Sequence, residues 1–343
     1  MEKKAALIEF NTWHSECLYP QLLFLQSAGY EVTLFCDERQ QKNITDIASK
    51  ASSVVYFDMK KFKSLLKVRR IILNQHINIV ILNTAQGNKA IKFTLLPFPN
   101  RIKFFGTIHN LGKLNTSLGQ SLICRRVHNL FILADYLKYS APTDKYNIQP
   151  YSPCYLPDYL EVNIDKPKGQ IWAVVPGSVE YKRRDYDYLL KMAQNPEFPT
   201  NVRIVILGNS SKGEGPLFTE KINQLGLAEK FVTFNQFVSN DIFYAYIRKA
   251  DYLLALINPD SDFAEDYIHK KLSGTFITSK AVGRNLLIHS MFAELKSFNY
   301  PSVFYKNDAE FLQLLGNPQS VKWEQPNFEL DKKDYLSLIE NQQ

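Results

Sequence analysis

Cysteine is scarce in this sequence, and its few copies lie far apart. The four cysteines are Cys17, Cys36, Cys124 and Cys154, and no two of them form a CxxC pair or a metal-ligand cluster. Cys17 and Cys36 lie in or beside apolar segments, which indicates buried free thiols rather than disulfides. This cysteine usage argues against a disulfide-stabilised secreted fold and fits a reducing compartment.

Long apolar runs are also missing. No run in the chain approaches the roughly 18 residues of a transmembrane helix. The first residues, MEKKAALIEFNTW, lack the apolar core of a signal peptide. We therefore expect a cytoplasmic protein, and its charge adds the expectation of association with the inner face of a membrane.

Positive charge is concentrated in the first half of the chain. The net charge is +7, yet residues 1–150 hold 20 Lys and Arg against 10 Asp and Glu, whereas the remainder holds 21 against 24. A basic first half suggests an acidic partner: anionic lipid, a phosphate-bearing acceptor or nucleic acid. No nucleic-acid-binding module is recognisable, so we do not expect nucleic acid. An ordinary basic surface is the alternative.

The segment MKKFKSLLKVRRIIL, residues 59–73, predicts a strongly basic helix with an apolar complement. Its cations are Lys60, Lys61, Lys63, Lys67, Arg69 and Arg70. One interpretation is a surface helix that rests on anionic lipid headgroups, with each cation contributing about 1 kcal/mol. The other, which the sequence alone slightly favours, is a core-packed helix with a solvated charged face.

Short apolar strands alternate with helical segments along the whole chain. This alternation predicts an α/β fold of parallel sheets with helices on both faces. It includes a polar helix near residues 40–50 and a strand over residues 251–257. The length suggests two domains, and a proline-rich stretch near residues 142–168 looks like the crossing between them. The expected divisions are an N-terminal domain over 1–150, a linker over 151–168, a C-terminal domain over 169–325 and a helix over 326–343 that packs back on the N-terminal domain.

Residues 171–190, IWAVVPGSVEYKRRDYDYLL, predict a buried strand, a Pro-Gly turn, a basic loop and the start of a helix. Asp185 is the expected N-cap, because its carboxylate can accept a backbone N–H of the first turn. The end of such a helix attracts anions, and the cations Lys182, Arg183 and Arg184 precede it here. We interpret the stretch as a site for the diphosphate of a nucleotide. The alternative is an ordinary connection with solvated cations.

Three loops of the first half, residues 11–16, 84–88 and 107–113, follow predicted strands. Ligands of parallel sheets bind beyond the carboxyl ends of strands. His14 and Glu16 lie in the first of these loops and His109 in the third. A histidine there can be a base, a hydrogen-bond donor to substrate or a structural residue. The glycine-flanked loop of His109 favours contact with a ligand.

Several motifs along the chain follow an order known from one group of enzymes. They are GTIHN in the first half, then VVPGSVEYKRRDYDYLL, VRIVILGNS, FVTFNQFVSNDIFYAYIRKADYLLALI and SGTFITSKAVGRNLLI. With them the chain resembles the GT-B glycosyltransferases, and among these the GT4-like group of bacterial surface-polysaccharide enzymes. The resemblance implies two Rossmann-like, doubly wound parallel-sheet domains that face a cleft, with a nucleotide-sugar donor in the second domain and an acceptor in the first.

The resemblance also implies donor-binding roles. Lys182 and Arg184 would neutralise the donor diphosphate and stabilise the leaving group. Gly177 would let the backbone approach the phosphates, because it has no Cβ. Further contacts to the second phosphate, the ribose or the sugar hydroxyls would come from Glu265, Ser273, Gly274 and Thr275.

The catalytic roles that the resemblance implies fall on the first half of the chain. His109 would contact the transferred sugar or the acceptor hydroxyl. Glu16, with His14 as its rival, is the candidate base if the reaction inverts the sugar's configuration. The predicted function is hexosyl transfer (EC 2.4 type) from a nucleoside-diphosphate sugar to a hydroxyl of a glycan or lipid-linked acceptor in bacterial-type polysaccharide biosynthesis. The alternatives are a nucleotide-sugar 2-epimerase of the same fold and a non-catalytic nucleotide-sugar-binding protein.

One departure from the family pattern concerns stereochemistry. Retaining members carry two glutamates separated by seven residues, and alignment on Gly283 puts Lys270 and Thr278 in their places. The retaining outcome is therefore not implied. Asp260 and Asp262 have the spacing of a metal-binding pair, but GT-B enzymes generally need no metal. We interpret the pair as loop residues and expect neither a metal nor a cofactor.

Overall fold

The computed structural model describes residues 2–341, which form two compact units. Unit 1 runs to Asp158 and also takes in His269–Lys271 and the stretch from Pro326 onward. Unit 2 consists of Tyr159–Ile268 and Leu272–Gln325. No helix within residues 2–341 has both the length and the apolar character needed to cross a membrane.

Unit 1 is built on a parallel sheet. Its strands are β1 (Lys3–Glu9), β2 (Tyr30–Asp37), β3 (Ser53–Phe57), β4 (Ile79–Leu82), β5 (Lys103–Thr107), β6 (Asn129–Ile132) and β7 (Asn147–Pro150). Their order across the sheet is β3-β2-β1-β4-β5-β6-β7. The direction of winding reverses between β1 and β4, so the loops after these two strands meet at a topological switch point, where α/β sheets bind ligands.

Helices cover both faces of this sheet. They are α1 (Leu18–Ser27), α2 (Thr45–Ala48), α3 (Phe62–Asn74), α4 (Asn88–Thr94), α5 (Gly112–Thr116) and α6 (Leu118–Cys124), with 3₁₀ turns at Ser15–Cys17, Glu38–Gln40 and Asp135–Ser140. Right-handed crossovers place α1 and α2 on one face and α3, α4 and α6 on the other. On the second face α4 packs between α3 and α6.

Unit 2 contains a second parallel sheet. Its strands are β8 (Ile171–Pro176), β9 (Val202–Asn209), β10 (Phe231–Phe234), β11 (Tyr252–Leu254), β12 (Leu286–His289) and β13 (Ser302–Tyr305). Their order is β10-β9-β8-β11-β12-β13, so this sheet has its switch point between β8 and β11. Alternate residues of β8 enter two cores, Ala173 and Val175 on one face and Trp172 and Val174 on the other.

The helices of the second half alternate with these strands. They are α7 (Tyr186–Gln194), α8 (Gly215–Gln224), α9 (Asn240–Lys249), α10 (Ala264–His269), α11 (Gly274–Val282) and α12 (Asp308–Gly316), with 3₁₀ turns at Ala228–Lys230 and Ser290–Phe292. The last helix, α13 (Phe328–Glu340), belongs to unit 1. It packs on α1, and its fully buried Tyr335 stacks on Phe131 with ring centroids 4.4 Å apart.

Several predicted elements differ from the structure. In place of the polar helix expected near residues 40–50, the structure has the 3₁₀ turn Glu38–Gln40, where Asp37 accepts the N–H of Arg39 at 3.1 Å, and the four-residue α2, whose N-cap Ile44 makes no side-chain capping bond. The strand expected over residues 251–257 ends at Leu254, since Leu256 has a left-handed φ of 52° that is incompatible with a strand ladder. The sequence pattern did not predict β7 and β13, which are short edge strands.

Candidate functional site

The switch point of unit 1 brings together the three loops that the sequence singles out. The N–H of Asn83, just after β4, donates to the carbonyl of Ile8 in β1 at 2.8 Å. The N–H of Ala85 donates to the carbonyl of Thr107 at the end of β5 at 2.9 Å. The loops after β1, β4 and β5 therefore start side by side.

A fully buried carboxylate, that of Glu9, holds the first two loops in place. It accepts hydrogen bonds from the side-chain amide of Asn83 (2.6 Å), the hydroxyl of Thr84 (2.6 Å) and the N–H of Asn11 (2.7 Å). Burial raises the pKa of Glu9, and these three donors offset part of that rise. Because every donor is a loop residue, the carboxylate fixes the chain on both sides of the switch point.

The His109 ring is held in a single tautomer. Its Nε2 lies 2.8 Å from the carbonyl oxygen of Asn83, which can only accept, so Nε2 carries the proton and Nδ1 carries a lone pair. Burial, followed by the nearby His14, lowers the pKa of His109 to about 3, so the ring is neutral at neutral pH. The side-chain oxygen of Gln86 accepts the N–H groups of His109 (2.9 Å) and Asn110 (3.1 Å), which orders the loop.

His14 and Glu16 complete this cluster. The His14 ring stacks on the His109 ring with centroids 3.8 Å apart and planes 22° from parallel. Nδ1 of His14 lies 3.5 Å from Oε1 of Glu16. Burial raises the pKa of Glu16, but the hydrogen bond and the charge of His14 outweigh burial and leave that pKa lowered. The structure thus gathers all three predicted catalytic residues into one acid–base cluster with an ionised carboxylate.

The residues that organise the cluster were not predicted from the sequence. Glu9, Asn83 and Gln86 have no motif of their own, and their partners are distant in sequence. The one signal is a charged residue at the end of the apolar strand KKAALIE, where Glu9 is fully buried. Knowledge that β1 pairs with β4 would have placed Asn83 beside it.

The switch point of unit 2 depends on two glycines. Gly177 follows β8 with φ at 92°, a conformation that favours glycine. A Cβ added to Gly208 in β9 would lie 2.2 Å from the carbonyl oxygen of Gly177, so only glycine fits there. The guanidinium of Arg184 lies beside Gly177, where its Nη2 donates to the carbonyl of Pro176 (2.6 Å) and its Nη1 to that of Ser178 (3.0 Å).

The cations of this loop are arranged unequally. Arg184 is fixed by two carbonyls and keeps N–H groups for a further acceptor. Lys182 is 77% exposed and its Nζ lies 3.8 Å from Glu180, while Nε of Arg183 lies 3.1 Å from the same carboxylate. The loop therefore presents one oriented guanidinium with an exposed lysine two residues before it in sequence.

Asp185 is the N-cap of α7, as predicted. Its carboxylate accepts the N–H of Tyr188 at 2.9 Å and the side-chain amide of Asn258 at 3.1 Å. The hydroxyl of Tyr305 donates to Asn258 at 2.6 Å, so the loop after β11 is tied to the loop after β8. Asp260 and Asp262 lie in that tied loop and are both exposed.

The remaining predicted donor residues lie at the start of α10 and α11. Ser273 caps α11 and accepts the N–H of Thr275 at 3.3 Å, and Gly274 is exposed in the first turn. Thr275 is 1% exposed, and its Oγ1 has no hydrogen-bond partner within residues 2–341. Glu265 is exposed in the first turn of α10.

The two positions that replace the glutamates of the retaining signature differ in their surroundings. The carbonyl of Lys270 accepts the N–H of Leu111 at 2.9 Å within unit 1. Thr278 lies in α11 of unit 2. Among the described residues 2–341, no three His, Cys, Asp or Glu side chains are grouped so that they could hold a metal ion.

Comparison with known proteins identifies the fold. No family model and no curated protein matches the sequence. The chain is similar to HepE from Anabaena in complex with UDP and glucose, with a TM-score of 0.60 and 11% identity over 92% of this chain and 89% of that one. It is similar to a glycosyltransferase from Rickettsia africae, with a TM-score of 0.56 and 12% identity over 99% and 97% of the two chains.

A further similar structure is a UDP-N-acetylglucosamine 2-epimerase, with a TM-score of 0.57 and 10% identity over 100% of this chain and 97% of that one. At sequence identities this low, structural similarity is evidence for the fold and not for the activity. That fold is GT-B, so the predicted fold class of two parallel-sheet α/β domains is confirmed. The grouping with the GT4-like enzymes stays a prediction.

Proposed function

We propose that the chain is a glycosyltransferase that moves a hexosyl group from a nucleoside-diphosphate sugar to a hydroxyl of a glycan or lipid-linked acceptor, in polysaccharide assembly of the bacterial type. The observation that carries the proposal is the oriented guanidinium of Arg184 beside the left-handed Gly177, at the switch point of unit 2. The GT-B fold and the UDP bound by HepE support it.

Unit 2 would bind the donor through its diphosphate. Arg184 and Lys182 would balance the negative charge that grows on the leaving nucleoside diphosphate as the bond from C1 to the phosphate oxygen breaks. The first turn of α11 would add the N–H groups around Gly274 and the unpartnered hydroxyl of Thr275. Because side chains supply this positive charge, we propose a reaction that needs no metal.

Unit 1 would bind the acceptor and handle its proton. The ionised Glu16 would take the proton from the acceptor hydroxyl as that oxygen bonds to C1, which is the role of the base in an inverting transfer. His14, 3.5 Å away, would hold the carboxylate in position. His109 would accept a hydrogen bond from a sugar or acceptor hydroxyl through its unprotonated Nδ1.

Nucleotide binding tests the donor site. We expect one of UDP, GDP, CDP, dTDP and ADP, added without metal, to raise the unfolding midpoint, because a ligand at about 100 times its Kd stabilises by about 2.7 kcal/mol. Arg184→Ala should abolish the shift. Arg203→Ala is the matched control, because Nη1 of Arg203 also donates to two carbonyls, of Thr200 (2.9 Å) and Val202 (2.8 Å), just before and at the start of β9. No shift with any nucleotide, or equal loss in both variants, contradicts the proposal.

The 2-epimerase is the second candidate, favoured by the epimerase among the similar structures and by the acid–base cluster of His14, Glu16 and His109. It would interconvert the nucleotide sugar without an acceptor. Incubation of the preferred nucleotide sugar with the protein alone, followed by NMR of the sugar, separates the two. An epimer formed without acceptor supports the epimerase. If the protein binds the nucleotide but catalyses neither transfer nor epimerisation, and if Glu16→Gln leaves that binding unchanged, the protein is a non-catalytic binding protein.

A further inference from the structure

The outer layer formed by α3, α4 and α6 of unit 1 has no acidic residue. Between Asp58 and Asp135 none of the 76 intervening residues is Asp or Glu, and 13 are Lys or Arg. The exposed cations on or directly after these helices are Lys63, Lys67, Arg70, Lys92 and Arg125. We refer to the outer surface of α3, α4 and α6 as the acid-free face.

The opposite face of the same sheet differs in charge. There α13 carries both signs, with four acidic and two basic residues in FELDKKDYLSLIE. The helices of the acid-free face therefore carry basic residues without acidic ones, whereas α13 carries more acidic than basic residues. Such one-sided charge marks a surface for an anionic partner.

Exposed apolar side chains lie among these cations. Phe62 and Leu66, one turn apart in α3, are 49% and 43% exposed. Leu118 at the start of α6 is 87% exposed, and Leu95 just after α4 is 59% exposed. The buried side of α3 is occupied by Leu65, Val68 and Ile72, so Phe62 and Leu66 are not part of the core. Cations that flank protruding apolar side chains suit a bilayer interface.

Two of the six cations that the lipid interpretation of the sequence invokes have partners within the protein. Nε of Arg69 donates to the carbonyl of Pro97 at 2.6 Å, and its guanidinium covers the ring of Phe98. Lys61 pairs with Asp58 at 3.1 Å. Arg69 therefore ties α3 to the neighbouring loop, and the surface for lipid is carried by Lys63, Lys67 and Arg70 together with the rest of the acid-free face.

We propose that the acid-free face docks on an anionic bilayer, with Phe62 and Leu66 entering the headgroup region. Helices that follow parallel strands run antiparallel to them, so the first turns of α3 and α6 lie at the same edge of the sheet as His14 and His109. Docking would therefore bring the acid–base cluster near the lipid surface. The docking goes beyond the proposed function and does not require it.

Vesicle co-sedimentation of the full chain tests the proposal. We expect binding to vesicles of phosphatidylcholine with about one third phosphatidylglycerol, and little binding to phosphatidylcholine alone. The triple variant Lys63→Glu, Lys67→Glu, Arg70→Glu should bind at least about 100-fold more weakly, since each cation near an anionic bilayer contributes about a fivefold factor. The control is Lys306→Glu, Lys322→Glu, Lys333→Glu, which makes the same charge change at exposed sites outside the acid-free face and should bind as the unaltered chain does.

A fluorescent reporter tests insertion directly. All four native cysteines are buried, so Leu66→Cys introduces an accessible thiol for an environment-sensitive dye. Anionic vesicles should shift its emission to the blue, whereas the same dye on Leu330→Cys, 54% exposed in α13, should not respond. The proposal is overturned if the two triple variants bind vesicles equally. It is also overturned if the dye at position 66 keeps the emission of a dye in water when the protein is bound to vesicles. Neither outcome depends on nucleotide binding by unit 2, so this proposal and the proposed function can fail separately.

Discussion

The two switch points of this molecule are built in different ways. In unit 1 the loops are joined by buried side chains, with Glu9 and Asn83 at the centre. In unit 2 the loops are shaped by the main chain, where Gly208 lets β9 approach the carbonyl of Gly177 and Arg184 binds two carbonyls. The first arrangement fixes the direction of imidazole and carboxylate groups, while the second leaves backbone and guanidinium donors open to a ligand. The comparison shows two ways to shape a loop beyond a parallel sheet. Buried side-chain hydrogen bonds suit a site for proton transfer, and glycine, which lets the main chain approach closely, suits a site for an anion.

The largest effect is expected from breaking the main-chain arrangement. Gly208→Ala places a Cβ 2.2 Å from a backbone oxygen that has no room to move, so we expect a loss of about 3 kcal/mol in the free energy of unfolding. Urea unfolding measures this loss. Gly274→Ala is the control, because its Cβ would meet nothing within 4 Å. Similar stability of both variants would mean that the close approach of β8 and β9 is not required.

Breaking the side-chain arrangement should have the next largest effect. Asn83→Ala removes the donor to Glu9 at 2.6 Å and leaves a buried carboxylate short of one partner, which costs about 2 kcal/mol. The control is Asn129→Ala in β6, whose side-chain oxygen accepts one bond from Asn147 at 2.9 Å. Asn83→Ala should be the more destabilising of the two in urea unfolding. The reverse order would contradict a central role for Asn83.

A third effect, similar in size to the second, concerns the pH dependence of stability. The pKa of His109 is lowered to about 3 in the folded chain, whereas an unfolded histidine titrates near about 6.5. The unfolded state therefore binds the extra proton as pH falls, and stability is lost from about pH 6.5 downward. His109→Gln should make the loss of stability between about pH 7.5 and 5 smaller by about 2 kcal/mol. If His109→Gln leaves the loss in the free energy of unfolding between these two pH values unchanged, the ring is not held neutral in the folded chain.

Much of the fold could be predicted from the sequence, because apolar strands and helix signals are local. The strand Ser53–Phe57, the cap at Asp185 and the glycine after β8 all lie in the sequence where the structure has them. The grouping of His14 with His109 could only be expected in outline, since it depends on β4 pairing with both β1 and β5. Local sequence carries no signal for that pairing or for the Glu9–Asn83 hydrogen bond.

The side chain of Arg69 illustrates the same limit. A basic helix with an apolar complement predicts cations on its surface, but the loop that approaches α3 decides which of them bind partners within the protein. Arg69 donates to the carbonyl of Pro97 and covers the ring of Phe98, which lie 28 and 29 positions further along the chain, and it is half-buried. Partial burial of a charged side chain of this kind follows from tertiary packing and not from spacing.

The helix α13 has a consequence for the order of events during synthesis. The hydroxyl of Tyr335 donates to the side-chain oxygen of Gln21 at 3.1 Å, across 314 positions of sequence, and Gln21 donates in turn to Asn83 at 2.6 Å. At about 5–20 residues per second, a ribosome delivers the later partner roughly 15–60 s after the earlier one. All of unit 2 emerges in that interval. Unit 1 therefore closes its core after unit 2 has been synthesised, and a nascent chain exposes the apolar side of α1 to chaperones until α13 has been made.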